Sequence, residues 1–369
     1  MRVLILTASY GSGHNAAAQS LAAAFAAAGA SPTIVDHFRE LVHPLFDRAT
    51  RGIYGALLRR APGVWAMAYG LGDRMASDSP WSFGMTRLGA ARLMQLLDTL
   101  APDAVVSVHA TPAVVLSALA RAGRRIPLHT TVVTDFVAHN QWIAPHVDRY
   151  CVAAEEVKHE FVSRGIAPDR VIVTGVPVRA SFEAPLDTLT ARRVLGLAPD
   201  LPLVLAMAGA QGTFGRLADV ARALTRLTMP TQAVVVTGHD ARLGEEVRRL
   251  TAGVAVRTVG FVDDVRPLMA AADVLISKAG GMTLAEAMAA EVPLLAYGSL
   301  PGQERRNERF ASRAGIALVA HTPAELGRTL ERALSEPKLL DRLREQMRRA
   351  RRPNASRHIA NLVLGRTVE

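Results

Sequence analysis

The chain opens with the apolar run Val3-Leu4-Ile5-Leu6, continues as Thr7-Ala8-Ser9-Tyr10-Gly11-Ser12-Gly13-His14-Asn15, and then enters an alanine-rich segment that extends to Ala28. This order predicts a buried strand, a glycine turn and a helix, the arrangement with which α/β proteins bind anionic or polar ligands. His14 falls where the helix begins, in place of the third glycine of a dinucleotide-binding fingerprint. Because an imidazole there can take a proton from a bound hydroxyl, the motif indicates transfer chemistry.

Short β-branched runs alternate with helical stretches along the chain. The first series is Val3 to Leu6, Ala104 to Val108, Thr130 to Thr134, Tyr150 to Ala153 and Val171 to Thr174, and the second is Leu203 to Met207, Ala233 to Thr237, Ala255 to Val259, Val274 to Ser277 and Pro293 to Tyr297. Two such series predict an α/β fold with two Rossmann-like domains that face each other across a cleft. We expect domains at 1–180 and 200–345, a linker between Ser181 and Pro202, and a C-terminal helical segment at 346–369.

Composition and charge restrict the classes of partner. The 369 residues are 50% hydrophobic and 21% charged, which suits a globular protein with two cores. The net charge of +10 favours a nucleotide phosphate, a nucleic acid or an anionic membrane surface. Only three of the 43 basic residues are lysines, and arginine suits bidentate phosphate contacts, although a compositional bias of the genome explains this equally well. Since no nucleic-acid recognition motif is evident, we expect no nucleic-acid partner.

The single cysteine, Cys151, excludes an intramolecular disulfide framework and a multi-thiolate metal site, so a cytoplasmic location is the default expectation. The first strand begins at the third residue, with no charged leader followed by a long apolar core, so we expect no signal peptide. No stretch reaches the roughly 18 apolar residues of a membrane-spanning helix. We therefore expect a protein that is soluble or peripheral to a membrane.

Two glycine-containing loops of the second domain are predicted to bind phosphate. The first runs from Ala208 to Gly215 and includes Gly209, Gln211 and Gly212, although a plain tight turn fits equally well. In the second loop, Gly280 and Gly281 precede Thr283, which is placed to cap a helix and so to offer N–H donors to a diphosphate. Glu286 can accept hydrogen bonds from a ribose. A capping box from Thr283 to Glu286 is the purely structural alternative.

Two further segments carry polar side chains suited to a nucleotide sugar. The loop from Pro301 to Asn307 presents Gln303 and Glu304, an amide and a carboxylate that together can bracket two vicinal sugar hydroxyls. A solvated helix start is the alternative. Thr174-Gly175-Val176-Pro177-Val178-Arg179 ends the first domain, and the Arg179 guanidinium can neutralise a departing diphosphate.

In this order, the four loops resemble those of the lipid glycosyltransferases of the glycosyltransferase-B fold, the family of monogalactosyldiacylglycerol synthase and processive diacylglycerol glucosyltransferase. The peptidoglycan enzyme that adds N-acetylglucosamine to its lipid intermediate is a more distant relative. The resemblance extends from Ser9 to Glu304. It implies inverting transfer of a hexose from UDP-glucose or UDP-galactose to diacylglycerol or a related membrane lipid, with no metal or other cofactor.

The resemblance also implies roles for individual residues. His14 matches the general base at the acceptor hydroxyl, and Arg179 matches the arginine of the Gly-x-Pro-Val-Arg element. The donor residues match as follows: Phe261 and Val262 at the uracil, Gly280, Gly281 and Thr283 at the diphosphate, Glu286 at the ribose, and Gln303 with Glu304 at the sugar. The chain departs from the family pattern at Gly209-Ala210-Gln211-Gly212, which has fewer glycines, and at Arg305 and Arg306. The donor sugar therefore stays open.

On the acceptor side, the segment Val132 to Phe136 with Asp135, followed by His139 and Trp142, is similar to the family segment that lines the acceptor cleft. Trp142 suits either a membrane interface or a protein core. The stretch from His43 to Met94 interleaves apolar residues, Trp65 among them, with arginines. Each basic residue near an anionic membrane contributes about 1 kcal/mol, so membrane contact is predicted; helices that pack on the first domain are the alternative.

The resulting mechanism requires a neutral His14. Activity should therefore fall below about pH 6.5, the usual pKa of histidine. Asp36, at the end of a second strand, is a candidate to orient the ring. Three alternatives stay open: a UDP-sugar glycosyltransferase with a soluble or other lipid-linked acceptor, a UDP-sugar epimerase of the same fold, and a nucleic-acid binder favoured only by charge.

Overall fold

The computed structural model describes residues 1–9, 12–74, 87–184, 186–209 and 216–366. They form two compact units, of which the first comprises Met1–Ala180 with Arg352–Glu369 and the second Ser181–Arg351. Each unit is built on one six-stranded parallel sheet with helices, so the predicted α/β class is confirmed.

The first unit contains six strands: β1 (Arg2–Thr7), β2 (Ser31–Asp36), β3 (Ala104–Ser107), β4 (Leu128–Val132), β5 (Arg149–Val152) and β6 (Val171–Val173). They are all parallel and follow the spatial order β2-β1-β3-β4-β5-β6. The unit's helices up to Ala180 are α1 (Ser12–Ala27), α2 (Pro44–Arg60), α3 (Pro62–Arg74), α4 (Ala90–Leu100), α5 (Ala110–Arg121) and α6 (Glu155–Ser163). Short helical turns cover His37–Val42, Asn140–Trp142 and Pro168–Arg170.

Strand β1 is apolar from Val3 to Leu6 because helices cover both faces of its sheet. Val3 and Ile5 pack in one buried cluster with Leu21 and Phe25 of α1. On the opposite face, the neighbouring residues of β1 pack against α4 and α5. The continuous apolar run that opens the sequence is therefore the centre of the first core.

The second unit also contains six strands: β7 (Leu203–Met207), β8 (Gln232–Val236), β9 (Val256–Val259), β10 (Val274–Ser277), β11 (Leu294–Tyr297) and β12 (Ala317–Ala320). They are parallel and follow the order β12-β11-β10-β7-β8-β9. Its helices are α7 (Thr188–Leu195), α8 (Leu217–Leu224), α9 (Ala241–Leu250), α10 (Arg266–Ala271), α11 (Gly281–Ala289), α12 (Gln303–Arg313), α13 (Pro323–Ser335) and α14 (Pro337–Ala350). A short turn covers Ala180–Glu183. The sequence prediction missed the edge strand β12.

Each sheet has a topological switch point, where connections leave a central strand in opposite directions. In the first unit this point lies between β1 and β3, and in the second between β7 and β10. The second unit follows the Rossmann order 3-2-1-4-5-6, whereas the first places strands 2 and 3 on either side of strand 1. Ligands of open α/β sheets bind beyond the carboxyl ends of the strands at such points.

The boundaries of the units differ from the sequence-based expectation. Helix α7 lies inside the predicted linker but belongs to the second unit, since the buried Arg192 donates to the Ala271 carbonyl (3.0 Å) and to Asp273 (2.7 Å). The predicted separate segment at 346–369 is divided between the units. Helix α14 ends at Ala350, while helix α15 (Ala355–Val363) packs against α1 in the first unit. Within the part of the chain that the structure describes, no helix combines the length and the apolar character needed to cross a membrane.

Candidate active site

A polar network shapes the loop between β1 and α1. The Thr7 hydroxyl donates to Asn15 Oδ1 (2.9 Å), and the Asn15 amide donates to Ser9 Oγ (2.9 Å). Ser9 in turn donates to the Asp36 carboxylate at the end of β2. These bonds join the ends of two neighbouring strands to the start of α1 and thereby fix the first helical turn, which carries His14.

Asp36 does not orient His14, contrary to the expectation from the sequence. One of its oxygens accepts from the backbone amides of Phe38 (3.1 Å) and Arg39 (3.0 Å), and so caps the helical turn that begins at His37. The other oxygen accepts from Ser9. The carboxylate therefore stabilises the loop that precedes α1 and leaves the orientation of the imidazole to other groups.

The His14 ring is held at the ends of two other strands. Its Nδ1 lies 2.8 Å from the Val108 carbonyl oxygen, which follows β3, and 3.1 Å from Thr134 Oγ1, which follows β4. A carbonyl oxygen only accepts hydrogen bonds, so Nδ1 carries the hydrogen. In a neutral ring Nε2 is then the basic nitrogen. The partly exposed imidazole thus has the tautomer that a general base requires.

His109 is a second imidazole at this edge, and no sequence pattern predicted a role for it. Its ring meets that of His14 edge to face, with the centroids 4.8 Å apart, and its Nδ1 accepts from the Thr111 amide at the start of α5 (3.1 Å). Trp142 lies 6.2 Å from the His14 ring and 6.4 Å from the His109 ring. The available sequence signal was a histidine two residues after a buried strand that ends at the same sheet edge.

Burial favours the neutral form of both imidazoles. It lowers the pKa of His14 below its usual value, although the nearby Asp135 carboxylate and the Val108 carbonyl act in the opposite direction. The pKa of His109 is lowered well below its usual range by burial and by the neighbouring His14 and His37. The expected loss of activity below about pH 6.5 therefore moves to lower pH, because a lowered pKa widens the pH range in which the neutral form of His14 prevails.

The residues predicted at the acceptor side divide into two groups. Asp135 lies near His14, as its effect on the pKa of that ring shows. His139 instead anchors α3: its Nδ1 accepts from the Gln141 amide (3.1 Å), and its Nε2 donates to the Tyr69 carbonyl (3.1 Å). Trp142 is buried, so of its two alternatives the structure shows the core position. Trp65 lies in α3, and its side chain is outside the described part of the structure.

The end of α3 is fixed by a polar cluster. Asp73 accepts from the Asn140 amide (2.9 Å) and from Arg164 (2.8 Å), and Arg164 also donates to Asn140 Oδ1 (2.7 Å). Burial alone would raise the pKa of Asp73, but these hydrogen bonds lower it to about 2.

Apolar side chains are exposed on α2 and on the side of α3 opposite to Asp73. The side chains that are more than half exposed there are Leu45 and Ile53 on α2 and Val64, Met67 and Leu71 on α3.

The segment after β6 leads to Arg179 and packs against the returning C-terminal chain. Gly175 has a φ of +84°, and a Cβ at this position would lie 2.7 Å from Arg352 Cβ and 3.0 Å from the Arg352 carbonyl oxygen. Ser356 donates to the Val178 carbonyl (3.2 Å). Arg179 follows at once and is partly exposed. Only glycine permits both this backbone conformation and this close approach.

In the second unit, two strand ends carry an aromatic stack. The Phe261 ring, after β9, lies parallel to the His239 ring, after β8, with centroids 4.3 Å apart. Both rings are exposed, and Val262 is partly buried. Gly209, after β7, has a φ of +74°. The predicted residues Gln211 and Gly212 lie outside the described residues.

The glycine pair after β10 begins α11, although the helix starts earlier than predicted. Gly280 is the N-cap and Gly281 the first helical residue, so Thr283 lies inside the first turn. The expectation that Thr283 caps the helix is therefore wrong, as is the capping box. The helix starts earlier because Gly281, Leu284 and Met288 form its buried face. The N-terminal end of the helix, where the backbone N–H groups and the positive end of the dipole lie, is still at the switch point. Glu286 is partly exposed, one turn further along.

Glu304 forms an ion pair with Lys278, for which no sequence pattern predicted a role. Lys278 Nζ donates to Glu304 Oε1 (2.9 Å), and each side chain is 14% exposed. Glu304 Oε2 accepts from the Leu300 amide (2.8 Å). Gln303, the first residue of α12, is partly exposed beside it. The predicted sugar-contacting residues are thus brought next to the glycine loop by this ion pair.

Comparison with known families assigns each half of the chain. The family model for monogalactosyldiacylglycerol (MGDG) synthase matches residues 14–178, which lie in the first unit. The model for glycosyl transferases group 1 matches residues 194–350, which lie in the second. The two matches together include strands β2 to β12, whereas β1 precedes the first match and Arg179 lies between the two.

Individual proteins are similar to the chain over nearly its whole length. A processive diacylglycerol beta-glucosyltransferase from Bacillus cytotoxicus is 31% identical over 368 residues, which cover 98% of this chain and 93% of the relative. The crystal structure of MurG from Acinetobacter baumannii matches with a TM-score of 0.67 and 17% identity, and the match covers 99% of each chain. UDP-GlcNAc 2-epimerase from Neisseria meningitidis, bound to UDP-GlcNAc, matches with a TM-score of 0.61 and 14% identity over 99% of this chain and all of the other. These two structural likenesses show the fold alone.

Proposed function

The chain belongs to the monogalactosyldiacylglycerol synthase and processive diacylglycerol glucosyltransferase family of glycosyltransferase-B fold enzymes, and from this premise we propose that it transfers a hexose from UDP-glucose or UDP-galactose to a hydroxyl of diacylglycerol or a related membrane lipid. The observation that carries the proposal is the 31% identity, along 98% of the chain, to a relative named for this activity. The product is a β-glycosyl glycolipid, and no metal takes part.

The first unit supplies the base. Nδ1 of His14 donates to the Val108 carbonyl, so Nε2 can accept the proton of the acceptor hydroxyl. The hydroxyl oxygen then forms its bond to the anomeric carbon as the bond from that carbon to the diphosphate breaks. Direct displacement on an α-linked donor inverts the configuration. The rings of Trp142 and His109 pack against the His14 ring.

The second unit binds the donor. The start of α11, at Gly280 and Gly281, offers N–H groups and the positive end of the helix dipole to the diphosphate. Phe261, exposed at the end of β9, is suited to cover the uracil, and Glu286 to bind the ribose. Gln303 and Glu304 face the sugar. Arg179, which belongs to the first unit, is the residue we propose to neutralise the charge of the leaving UDP.

The exposed apolar side chains of α2 and α3 form the proposed membrane surface. Val64, Met67 and Leu71 recur at a spacing of three and four residues, which aligns them on one side of α3. Tyr69 and Asp73 hold the opposite side of the helix through the contacts described above. An anchored helix with an apolar outer side is the form of an interfacial membrane helix. We therefore propose peripheral attachment at an anionic cytoplasmic membrane surface.

Transfer of labelled hexose into the organic phase tests the activity. UDP-glucose and UDP-galactose are supplied separately, with diacylglycerol in anionic vesicles. Glycolipid formed from one donor supports the proposal and identifies the sugar. UDP binding without any organic-phase product would move the acceptor to a soluble or other lipid-linked compound. Conversion of the donor sugar without an acceptor would favour an epimerase.

Vesicle flotation tests the membrane surface on its own. The variant M67E/L71E places two charges on the outer side of α3, and we expect it to lose flotation with anionic vesicles. The matched control is L189E/V194E, which places the same charges on the exposed apolar residues of α7 in the second unit. Equal flotation of the two variants would contradict the assignment of this surface.

A further inference from the structure

The Lys278–Glu304 ion pair connects two loops that the proposed function assigns to different parts of the donor. Lys278 follows β10 and precedes the glycines at the start of α11, whereas Glu304 is the second residue of α12. Their charged atoms are 2.9 Å apart. A second bond joins the same loops, because the Ala279 amide donates to Ser299 Oγ (3.2 Å). The proposed diphosphate loop and the proposed sugar loop are therefore braced against each other.

Charge explains why these two residues pair. Lys278 lies just before the N-terminus of α11, where the helix dipole is positive and disfavours a cation. Glu304 lies in the first turn of α12, where a carboxylate is favoured. Each side chain is 14% exposed, so an unpaired charge at either position would be costly. The carboxylate thus compensates a lysine that its surroundings would otherwise repel.

The geometry of Glu304 leaves it able to bind a further group. One oxygen accepts from Lys278 and the other from the Leu300 amide (2.8 Å), which fixes the plane of the carboxylate. Each carboxylate oxygen has two acceptor positions, so both retain capacity for a hydroxyl donor. Gly302, with a φ of +99°, allows the turn that starts α12 at Gln303. The fixed carboxylate and the Gln303 amide are thus adjacent.

The chemistry of the cation is also specific. Only three of the 43 basic residues of this chain are lysines, and Lys278 is the one placed in the proposed donor site. Lysine presents a single compact ammonium group, whereas arginine presents a broad planar fork with a longer reach. An arginine at position 278 would keep the positive charge, but its larger guanidinium group would displace the Glu304 carboxylate.

We propose that Lys278 is a positioning residue that fixes Glu304 as the hydrogen-bond acceptor for the hydroxyls of the donor hexose. Lys278 then determines how strongly the sugar part of the donor is bound, and leaves the binding of the UDP part unchanged. This role rests on the proposed function of the second unit as a UDP-hexose site.

Calorimetric titration with UDP and with UDP-hexose separates the two parts of the donor. The measured quantity is the Kd of UDP divided by the Kd of UDP-hexose. This ratio reports how much the sugar contributes to the affinity. We expect K278M to reduce this ratio about tenfold while the Kd of UDP stays within about twofold. K278R should keep the fold and also lower the ratio. The control K338M makes the same change at an exposed lysine of the same unit and should leave both values unchanged.

A double variant makes the test independent of any folding defect in K278M. Because Lys278 acts through Glu304, the ratio for the double variant K278M/E304Q should equal that for E304Q alone. The double variant removes both charges of the ion pair, so neither is left unpaired. Equal weakening of UDP and UDP-hexose by K278M would instead make Lys278 a diphosphate ligand and overturn the proposal. So would an unchanged ratio, or a further loss in the double variant. A wild-type chain that binds neither compound would overturn the proposed function itself.

Discussion

The two units carry opposite chemistry on the same edge of the same kind of sheet. Beyond β1, β3 and β4 the first unit gathers two imidazoles and an indole, His14, His109 and Trp142. Beyond β7 and β10 the second unit presents glycines, a helix start and the Lys278–Glu304 ion pair. Both sites lie at a topological switch point, so the fold determines the place and the residues determine the chemistry.

The difference lies in how each unit treats buried charge. In the first unit, burial lowers the pKa values of His14, His109 and His129 and so favours their neutral forms. The second unit contains two ion pairs, Arg192–Asp273 and Lys278–Glu304. Its two histidines, His239 and His321, are both exposed. A neutral imidazole suits proton removal, and fixed charges with N–H groups suit a diphosphate sugar. The predictions below test this division.

The largest effect should come from His14. We expect H14A to lower the rate of hexose transfer by about 10²–10⁴, the usual contribution of a general base, without altering UDP binding in the second unit. Transfer assays and UDP titrations measure the two quantities separately. H159A removes an exposed histidine of α6 in the same unit and serves as the control. A loss of UDP affinity in H14A would contradict the separation of the two sites.

Substitution of one glycine should destabilise the first unit alone. G175A forces a positive φ on alanine and places its Cβ 2.7 Å from Arg352 Cβ, so we expect a loss of about 2–4 kcal/mol in the free energy of unfolding. The matched change G280A has an ordinary φ of −69° and its closest contact is 3.8 Å away. It should cost less than about 1 kcal/mol. Thermal denaturation of both variants gives the comparison, and equal losses would refute it.

Acid should unfold the first unit before the second. Burial lowers the pKa of His129 to about 3, while the unfolded value is about 6.5. The unfolded state therefore binds a proton first as the pH falls, and stability is lost between these two values. At pH 5 this residue alone accounts for a loss of about 2 kcal/mol. Hydrogen exchange of peptides from each unit at pH 7 and pH 5 measures the order, and H129Q should flatten the dependence. Earlier opening of the second unit would contradict the prediction.

The smallest effect concerns the acid limb of activity. Asp135 raises the pKa of His14, so D135N should lower it further and shift the acid limb of the kcat profile to still lower pH. The direction follows because the base must be neutral to act. D169N removes an exposed carboxylate of the same unit and should leave the limb in place. A shift of the limb to higher pH in D135N would remove His14 as the titrating base.

The sequence predicted much of the fold because each strand is a local apolar run beside a turn. It predicted the positions of His14 and of the glycine pair for the same reason, since both follow such runs directly. It placed the start of α11 wrongly at Thr283, because the buried face of that helix decides where it begins. It also left two roles for Trp142, which only the burial of the ring resolves. The edge strand β12 was not predicted.

By itself, the sequence determined the two sheets and the loops that carry chemistry, since both depend on residues that are close in the chain. Only the tertiary structure decided which side chains meet. His14 contacts Thr134 across 120 positions of sequence, and Lys278 contacts Glu304 across 26. The tautomer of His14, the direction of its pKa shift and the orientation of Glu304 all follow from these contacts. Such properties arise from burial and from pairing between separate strand ends, which no local pattern encodes.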